Sequence, residues 1–516
     1  TNDTDPNGDK LIAVKVSDPD SGELTLNPDG TFVFKPFAGF SGETSFTYKA
    51  RDRSLEDPNG LESDVVSVNL EVTVETPTDL TGKVDKDGYS VEGNASPNEL
   101  KVSMRIDRIC PKLEPANAGQ DDLKQLCDRL RAQGTTARQA VDALGAITPE
   151  ELAAIPQTAR IVTLMRSRNT GARLMRVREG EKGISVSGLN ISHGNNQVAG
   201  GDLERMLNEF LGGLGGGASA DGSGDLGNLG VFIQGDLSFG DQDDTDLQSG
   251  YDYDAQNIAL GADYRFGDSG FAGASVSYAW STVDFDDNAG KTETDSIALA
   301  VFGSYYLGDN GYIDGTFSYD WSDIKTRRNI RYTDYIGSID RKARGDTDGN
   351  GYYISLNAGY GFHSGGFNLI PALNFFYLDG EVDSFQEKGA DGWDLAVDDQ
   401  EFKSTSIEAS AQLSYAFSTD WGVLSPYIRL GYNREFEDSA DGIRFRFVND
   451  PDGNSPGSTI RIQSDDPDDT FRMYSAGATA QFKYGISGFV SYQLLGSYDN
   501  LSSETVSFGM RWETTF

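Results

Sequence analysis

Few side chains of this sequence have the chemistry that catalysis or transition-metal binding requires. The 516 residues include two cysteines, Cys110 and Cys127, and two histidines, His193 and His363. In an exported chain the cysteines predict a disulfide, with a pair of buried free thiols as the alternative. Zinc is disfavoured because no histidine or further cysteine lies near them. The shortage of histidine also argues against a Ser–His or Asp–His constellation, so we predict no catalytic residue and no enzyme.

Oxygen ligands are more abundant. A turn near the start of the chain carries Asp3, Asp5, Asn7 and Asp9 at alternate positions. Hard oxygen donors at this spacing suit Ca²⁺, although the pattern is not that of an EF-hand loop. An ordinary acidic turn is the alternative. Ca²⁺ is therefore the one cofactor that the sequence suggests, and no cofactor is required.

The overall charge excludes one class of partner. The sequence has 43 basic and 81 acidic side chains, a formal net charge of −38, which argues against nucleic acid because binding to it depends on neutralising phosphates. No run of eighteen apolar residues occurs, so no membrane-spanning helix is predicted.

Residues 1–76 predict a small β-sandwich. Short apolar runs such as LIAVKV, GELTLN and GTFVFKP alternate with the turn signals DPDSG and NPDG. The phrase SDPDSGELTLNPDGTFVFKPFAGFSGETSFTYKARD resembles the cadherin-like, immunoglobulin-like repeats of large bacterial adhesins. In such repeats one more strand precedes the matching phrase. We therefore expect Thr1 to fall inside a domain, with a longer passenger upstream.

The middle of the chain changes character several times. Residues 77–108 contain the β-like pieces SVEGN and ELKVSMRID and predict a β-rich connector. Residues 109–192, with both cysteines, contain apolar positions at helical spacing and predict a helical segment. Within residues 193–228, GGDLERMLNEFLGGL predicts a short amphipathic helix, and a Gly-rich linker follows.

From residue 229 to residue 516 the pattern has a period of two. Twelve segments, most of them longer than ordinary globular strands, alternate apolar and polar residues. Short turns such as FGDSG and LGDNG alternate with long polar loops, and aromatic residues crowd the strand ends. These features are typical of an antiparallel outer-membrane β-barrel, and a soluble sandwich is the alternative. The inward-facing lumen candidates are Asp236, Asp263, Arg265, Asp314, Glu408, Arg429 and Arg511.

The order of these parts resembles a single-chain (type V) autotransporter of Gram-negative bacteria. The final strand resembles an outer-membrane insertion signal through Phe508, Met510, Trp512 and Phe516, although Thr514 departs from the usual apolar residue. The resemblance implies outer-membrane assembly machinery as a partner. It also implies that residues 1–192 are extracellular.

In this family the segment before the first strand threads the lumen. The resemblance assigns that role to residues 193–228. Residues 157–178 are an alternative, since their arginines would suit an acidic lumen. A solvated basic helix outside the barrel is the preferred interpretation of that second segment.

One of the predicted long polar loops, residues 326–348, inverts the acidic character of the chain. Its cations predict contact with outer-membrane lipid, through the phosphates of lipopolysaccharide, or with an acidic passenger. A solvated loop balanced by its own acids is the alternative. The basic residues are Arg327, Arg328, Arg331, Arg341, Lys342 and Arg344.

The sequence therefore predicts an autotransporter-like protein that exports and anchors a surface-exposed, repeat-type passenger, adhesive or structural, for an unknown surface ligand. A plugged, porin-like barrel whose N-terminal domain serves as a structural anchor or partner-binding module is the alternative. A barrel enzyme is disfavoured, because His363 falls in a predicted periplasmic turn and His193 in the linker.

Overall fold

The computed structural model describes residues 11–37, 42–52, 61–72, 79–84, 95–117, 119–178, 190–193, 196–199, 229–266, 269–437, 442–453, 455, 457–482 and 486–513. Two compact units are present, one formed by Thr1–Arg108, Cys127–Gly145 and Thr333–Gly337, the other by Ile109–Leu126, Ala146–Tyr332 and Ser338–Phe516. Among the described residues, no helix combines the length and apolarity that crossing a membrane would need.

The first unit begins with two small antiparallel sheets. Its strands are β1 Ile12–Ser17, β2 Gly22–Leu26, β3 Phe32–Pro36, β4 Gly42–Arg51 and β5 Val66–Val72. One sheet has the order β1-β4-β5 and the other pairs β2 with β3. Phe46 is 1% exposed, and its ring lies 5.1 Å from that of Phe32 in an edge-on contact that joins the two sheets. This is the sandwich that the alternation of apolar runs and turns predicts.

Five helices follow in the described part of the chain. They are α1 Leu80–Val84, α2 Pro97–Ile109, α3 Gln120–Arg131, α4 Ala137–Ile147 and α5 Ala154–Arg178, with short 3₁₀ turns at Cys110–Lys112 and Glu150–Ala153. A two-stranded hairpin, β6 Asn190–His193 and β7 Asn196–Ala199, comes after them.

The prediction of a β-rich connector over residues 77–108 is wrong, because α1 and α2 occupy its described part. The alternation in ELKVSMRID conceals a helical face, since Val102, Ile106 and Ile109 are completely buried at a spacing of three and four residues. A capping box starts α2. The Ser96 hydroxyl accepts a hydrogen bond from the Glu99 amide (3.1 Å), and the Glu99 carboxylate accepts one from the Ser96 amide (2.6 Å).

Twelve long strands form a closed barrel in the described part of the second unit. Each pairs antiparallel with its neighbours, and the first strand meets the last at Gly230 and Glu513. They are β8 Leu229–Gln242, β9 Tyr251–Arg265, β10 Gly270–Phe285, β11 Gly290–Leu307, β12 Gly311–Thr333, β13 Ser338–Tyr360, β15 Phe367–Val382, β18 Gln400–Tyr415, β20 Gly422–Glu435, β23 Thr470–Phe482, β24 Ile486–Gly496 and β25 Glu504–Glu513. Two short pieces, β14 Phe362–Ser364 and β19 Phe417–Thr419, lie beside the short turns.

The two faces of the barrel differ as the period-two pattern predicts. On β18, Ile407 and Leu413 point outward and are 41% and 42% exposed, whereas Gln412 points inward and is 4% exposed. Exposed apolar side chains on the outside match a lipid-facing band. Exposed aromatic side chains border this band at the short-turn end, at Tyr264, Phe266, Tyr305, Tyr360, Phe362, Phe417 and Trp421.

One long loop of the prediction is absent. The segment 326–348 was predicted as a polar loop, but β12 and β13 continue through most of it. Ile330, Tyr332 and Ala343 are buried on the inner side of this extension, which gives the strands an apolar face beyond the membrane band. Many charged residues alternate with the apolar ones in this segment, and they give it the composition of a polar loop although its period is that of a strand.

Replacing Ser96 by Ala should destabilise α2 by about 1 kcal/mol, because one amide at the helix start loses its acceptor. Amide hydrogen exchange of residues 97–109 measures this change. E99Q is the matched control, since glutamine keeps an acceptor for the Ser96 amide, and it should leave the protection close to that of the wild type. Equal protection in S96A and the wild type would contradict the role of the capping box.

Candidate functional site: the barrel lumen and its mouth

The helix α5 lies inside the barrel, in contact with β8, β9, β10, β11, β13 and β18. At the end where the long loops join the strands, Ala154 packs with Tyr251 and Phe285. At the end with the short turns, Leu174 packs with Phe232 and Phe271. Its 25 residues rise about 37 Å, enough to cross a barrel whose apolar band is roughly 25 Å tall.

This position corrects one prediction and leaves another untested. The preference for a solvated basic helix over residues 157–178 is wrong, because α5 fills part of the lumen. The sequence also predicts that residues 193–228 thread the lumen. Of these, residues 194–195 and 200–228 lie outside the described residues. The assignment of residues 193–228 therefore stays a prediction. The described lumen helix begins at Ala154, and strands on several sides of it contact it, so a single apolar stripe is not required of a helix in this position.

Near the mouth, α5 is held by an amide network. The side chains of Gln157 and Gln248 exchange two hydrogen bonds, of 3.0 and 2.8 Å, and the Tyr251 hydroxyl donates to the Gln157 oxygen at 2.8 Å. The exchange satisfies one donor and the carbonyl oxygen of each side-chain amide. This network fixes the rotation of the first turn of α5 against the barrel wall.

One turn deeper, Arg160 pairs with a buried carboxylate. Its guanidinium nitrogen lies 2.5 Å from a carboxylate oxygen of Glu435, whose side chain is 1% exposed. Glu435 also accepts hydrogen bonds from the Ser404 hydroxyl (2.7 Å) and the Thr405 amide (2.8 Å). Removing Arg160 would leave this buried carboxylate without its cation, so Arg160 is difficult to replace.

A second arginine fastens the middle of α5. The Arg166 guanidinium donates to the hydroxyl (2.6 Å) and the carbonyl (3.1 Å) of Ser296, and it lies 3.9 Å from the Asp320 carboxylate. Arg166 is 5% exposed. The two arginines project toward different strands, so the helix is held from opposite sides of the lumen.

The predicted lumen residues line the interior. Asp236, Asp263, Asp314 and Arg511 are at most 2% exposed. The Arg511 guanidinium donates to Asp263 at 3.1 Å. The Arg429 guanidinium lies 2.5 Å from the Glu408 carboxylate, and the Asn257 amide donates to Asp236 at 3.1 Å. Arg265, at the end of β9, is partly buried.

The helix leaves part of the lumen open. A cavity of about 700 Å³ at the mouth is lined by Arg160, Met473 and Tyr498, among others, and a deeper one of about 140 Å³ by Asp314, Glu408 and Arg429. Arg168 of α5 borders both. The side of the lumen next to β23 and β24 therefore holds a polar space beside the helix.

Beyond the membrane band, the long loops fold into a second sheet, which we name the collar. It consists of β16 Phe385–Gln386, β17 Leu395–Val397, β21 Ile443–Phe447 and β22 Ile460–Ile462. Trp393 is completely buried in it, its ring 5.6 Å from that of Phe447, and its indole N–H donates to the Tyr332 hydroxyl at 3.1 Å. The loops thus have an apolar core of their own.

A buried ion pair connects the collar to the segment that leads into α5. The Arg328 guanidinium donates two hydrogen bonds to the Glu387 carboxylate, of 2.7 and 2.9 Å, and a third to the Ile147 carbonyl at 3.1 Å. Glu151 is 4% exposed. Burial raises the pKa of Glu151 to about 7. The positive charge of Arg328 lowers this pKa, whereas the negative charge of Glu387 also raises it.

The start of α3 is fastened to the same loops. The Arg341 guanidinium binds the Asp122 carboxylate, with one contact of 2.7 Å, and the Gly392 amide donates to Asp122 at 2.8 Å. The hydrogen bond from Arg341 lowers the pKa of Asp122. Lys112 lies 2.9 Å from the Asp452 carboxylate. Polar contacts therefore bind residues 109–126 to β13 and to the long loops that carry the collar.

The six residues of the predicted basic loop do not share one environment. Arg328 and Arg341 point inward and pair with Glu387 and Asp122, so these two are not available to an external anion. Arg331 pairs with Asp340 at 3.2 Å, whereas Arg327, Lys342 and Arg344 are exposed.

The cysteines, the proposed calcium ligands and the insertion signal complete the comparison with the sequence. Cys110 and Cys127 are buried and disulfide-bonded. Asp3, Asp5, Asn7 and Asp9 lie outside the described residues, and within those residues no group of three or more His, Cys, Asp and Glu side chains could hold a metal ion. Of the predicted insertion signal, Met510 is 41% exposed and Phe508 is partly buried on β25. Phe516 lies outside the described residues, and the side chain of Trp512 is not described.

Two family models match this sequence. The model described as Autotransporter beta-domain matches residues 231–493, just over half of the chain. The model described as Bacterial Ig domain matches residues 1–69.

The curated relatives include Esterase EstA of Pseudomonas aeruginosa and Esterase EstA of Pseudomonas putida. Each is 28% identical to this chain over 145 residues, which are 28% of this chain and 21% of the relative. The chain thus spans about a fifth of the length of the curated relatives it matches.

Similar solved structures include two translocation units. The translocator domain of autotransporter NalP from Neisseria meningitidis is 20% identical, with a TM-score of 0.45, over 60% of this chain and 96% of that chain. The transport unit of autotransporter AIDA-I from Escherichia coli is 14% identical, with a TM-score of 0.40, over 60% and 97%.

Removing the charge of Arg160 should destabilise the plugged barrel by roughly 3 kcal/mol, because R160M leaves Glu435 buried without its cation. The double variant R160M/E435Q should recover most of that loss, since the uncharged amide needs no counter-ion. A folded barrel and an unfolded one migrate differently on SDS gels. The temperature at which the folded mobility is lost is the transition temperature, and it measures the effect.

R434M is the matched control for this experiment. Arg434 pairs with Asp469 at 2.6 Å, but both side chains are about half exposed, so the pair is screened by water. R434M should therefore leave the transition temperature almost unchanged. An equal loss in R434M and R160M would show that α5 is not held by its buried ion pair.

The raised pKa of Glu151 predicts a pH-dependent stability at the mouth. Since the folded state raises this pKa from 4.5 to about 7, the segment is most stable below pH 4.5 and loses stability as the pH rises through 7. The full loss is about 3 kcal/mol. E151Q cannot ionise and should be more protected than the wild type at pH 8 and equal to it at pH 4.

Amide hydrogen exchange of residues 150–158, compared between variants at each pH, measures the effect of E151Q. E150Q is the control, because it neutralises the neighbouring, less buried carboxylate and should keep the profile of the wild type. A constant difference between E151Q and the wild type at both pH values would contradict the prediction.

Proposed function

Because the chain belongs to the autotransporter β-domain family and its barrel is that of a Gram-negative outer-membrane protein, we propose that it exports and anchors a surface-exposed, repeat-type passenger, adhesive or structural. The direction of α5 carries this proposal. Its residue Ala154 lies at the long-loop mouth and Leu174 at the short-turn end. In outer-membrane barrels the long loops are extracellular. Residues 1–153 are then outside the cell.

The first domain supports a repeat-type passenger. The Bacterial Ig domain model matches residues 1–69, and the described strands of this region form two facing sheets. Sandwiches of this kind are stable alone and can be repeated along a stalk. We assign the unknown ligand to this stalk, and we assign recognition of the last strand, through Phe508, Met510, Trp512 and Phe516, to the outer-membrane assembly machinery.

The role proposed for this chain is not enzymatic. Esterase activity is named for the two curated relatives, which share only a fifth of their length with it. His363 lies on the short β14 at the short-turn end, and His193 follows α5. His363 is not among the described residues that line the mouth cavity, whose lining includes Arg160 and acidic side chains.

A second candidate is a plugged, porin-like barrel whose N-terminal part serves as a structural anchor or partner-binding module. The cavity of about 700 Å³ beside α5 favours it, since it leaves polar space in the lumen. The two candidates differ in the role of the first domain, which is an exported passenger in the first and an anchor or partner-binding module in the second.

Protease digestion of intact cells should remove residues before about 150 and leave α5 and the barrel intact, because a helix within the lumen is inaccessible. Mass spectrometry of the protected fragment gives its first residue. Digestion after permeabilising the outer membrane is the control for periplasmic exposure. Full protection in intact cells, with cleavage only after permeabilisation, would place the first domain in the periplasm and overturn the export proposal.

A further inference from the structure

The basic residues of the extended β12–β13 hairpin fall into two groups. Arg328 and Arg341 point inward to carboxylates. A second group points outward, and we name it the outer basic patch. It consists of Arg327, Lys342, Arg344 and Lys388, all exposed.

The cations of the outer basic patch differ from their neighbours in lacking a counter-charge. Lys325 lies 2.7 Å from Asp323, and Arg331 lies 3.2 Å from Asp340. In the part of the chain that the structure describes, the four side chains of the patch form no ion pair with a carboxylate. These four neighbouring cations form a local excess of positive charge in a chain with a net charge of −38.

The fold places these cations side by side. A side chain at Gly345 would meet Thr326, so Arg344 and Arg327 are neighbours on the opposite, outward face of β13 and β12. The backbones of Arg344 and Lys388 exchange hydrogen bonds of 3.0 and 2.9 Å. Like charges at such positions repel each other. Binding an anion between them would remove that repulsion.

The height of the patch indicates which anion it meets. Trp321 and Tyr278 are exposed at the outer edge of the lipid-facing band and lie at the same level, because both pair with Ile297. Arg327 follows six residues after Trp321 on β12, about 20 Å along the strand. With the usual tilt of barrel strands, this is roughly 15 Å above the edge of the band. Lipid-linked phosphates and sugars of the outer leaflet occupy that zone.

We propose that Arg327, Lys342, Arg344 and Lys388 bind the phosphate groups of lipopolysaccharide in the outer leaflet. Guanidinium groups bind phosphate oxygens through two parallel hydrogen bonds, and ammonium groups add point charges. The contact holds the β12–β13 hairpin, which also carries Arg328 and Arg341, against the membrane surface. The acidic passenger is not needed as a counter-ion.

Binding of a labelled, core-phosphorylated lipopolysaccharide to the full-length protein in detergent tests this proposal. The double variant R327Q/R344Q should bind it about tenfold to hundredfold more weakly, since two charge-assisted contacts are lost. K325Q/R331Q is the matched control. It removes the same charge from exposed positions of the same hairpin, but these side chains already have carboxylate partners, and its affinity should stay within about threefold of the wild type.

Three results would overturn the assignment. The first is equal weakening in both double variants, which would indicate only net charge. The second is undiminished binding of dephosphorylated lipopolysaccharide, or complete competition by inorganic phosphate, which would indicate that lipid-linked phosphate is not recognised. The third is protection of Lys342 and Lys388 from amine acetylation in lipid-free detergent, which would show that the chain itself covers the patch. Heat-modifiable mobility of each variant verifies that the barrel has folded.

Discussion

A closed barrel places half of its side chains in an interior that lipid cannot reach, and each buried charge there needs a partner from within. The described lumen contains carboxylates on several strands, among them Asp320 and Glu435, which are costly to bury alone. Arg160 and Arg166 of α5 supply cations at the matching depths. The identity of the lumen helix therefore follows from charge complementarity, and its apolar residues only fill the space between these contacts.

Buried charges also need partners at the mouth of the barrel. There the chain must leave the lumen through loops that would otherwise be solvated. The collar gives those loops an apolar core around Trp393, and Arg328 links it to the segment just before α5 through Glu387 and the Ile147 carbonyl. Because Glu151 lies in this cluster with a raised pKa, the strength of the link depends on pH. Hydrogen bonds and apolar packing thus connect the lumen helix to the folded loops.

The sequence predicts the barrel well because its signal is local. Period-two alternation, glycine-bearing turns and terminal aromatics are each readable over a few residues, and the twelve long strands confirm them. The lumen helix is different. Nothing within Ala154–Arg178 shows that its arginines face carboxylates far away in sequence. The connector was also misread, although Ser96 and Glu99 carry a capping-box signal that could have corrected it.

The distribution of cations connects these findings. With 43 basic against 81 acidic side chains, the chain has more than enough carboxylates to pair with its cations. Instead, Arg160 and Arg328 are buried against carboxylates that would be unstable without them. Arg327 and Arg344 are exposed side by side, in spite of their mutual repulsion. Since acidic groups are abundant in the chain, two adjacent cations that form no ion pair with a described carboxylate need an explanation. An external anion held at a fixed height above the membrane provides one.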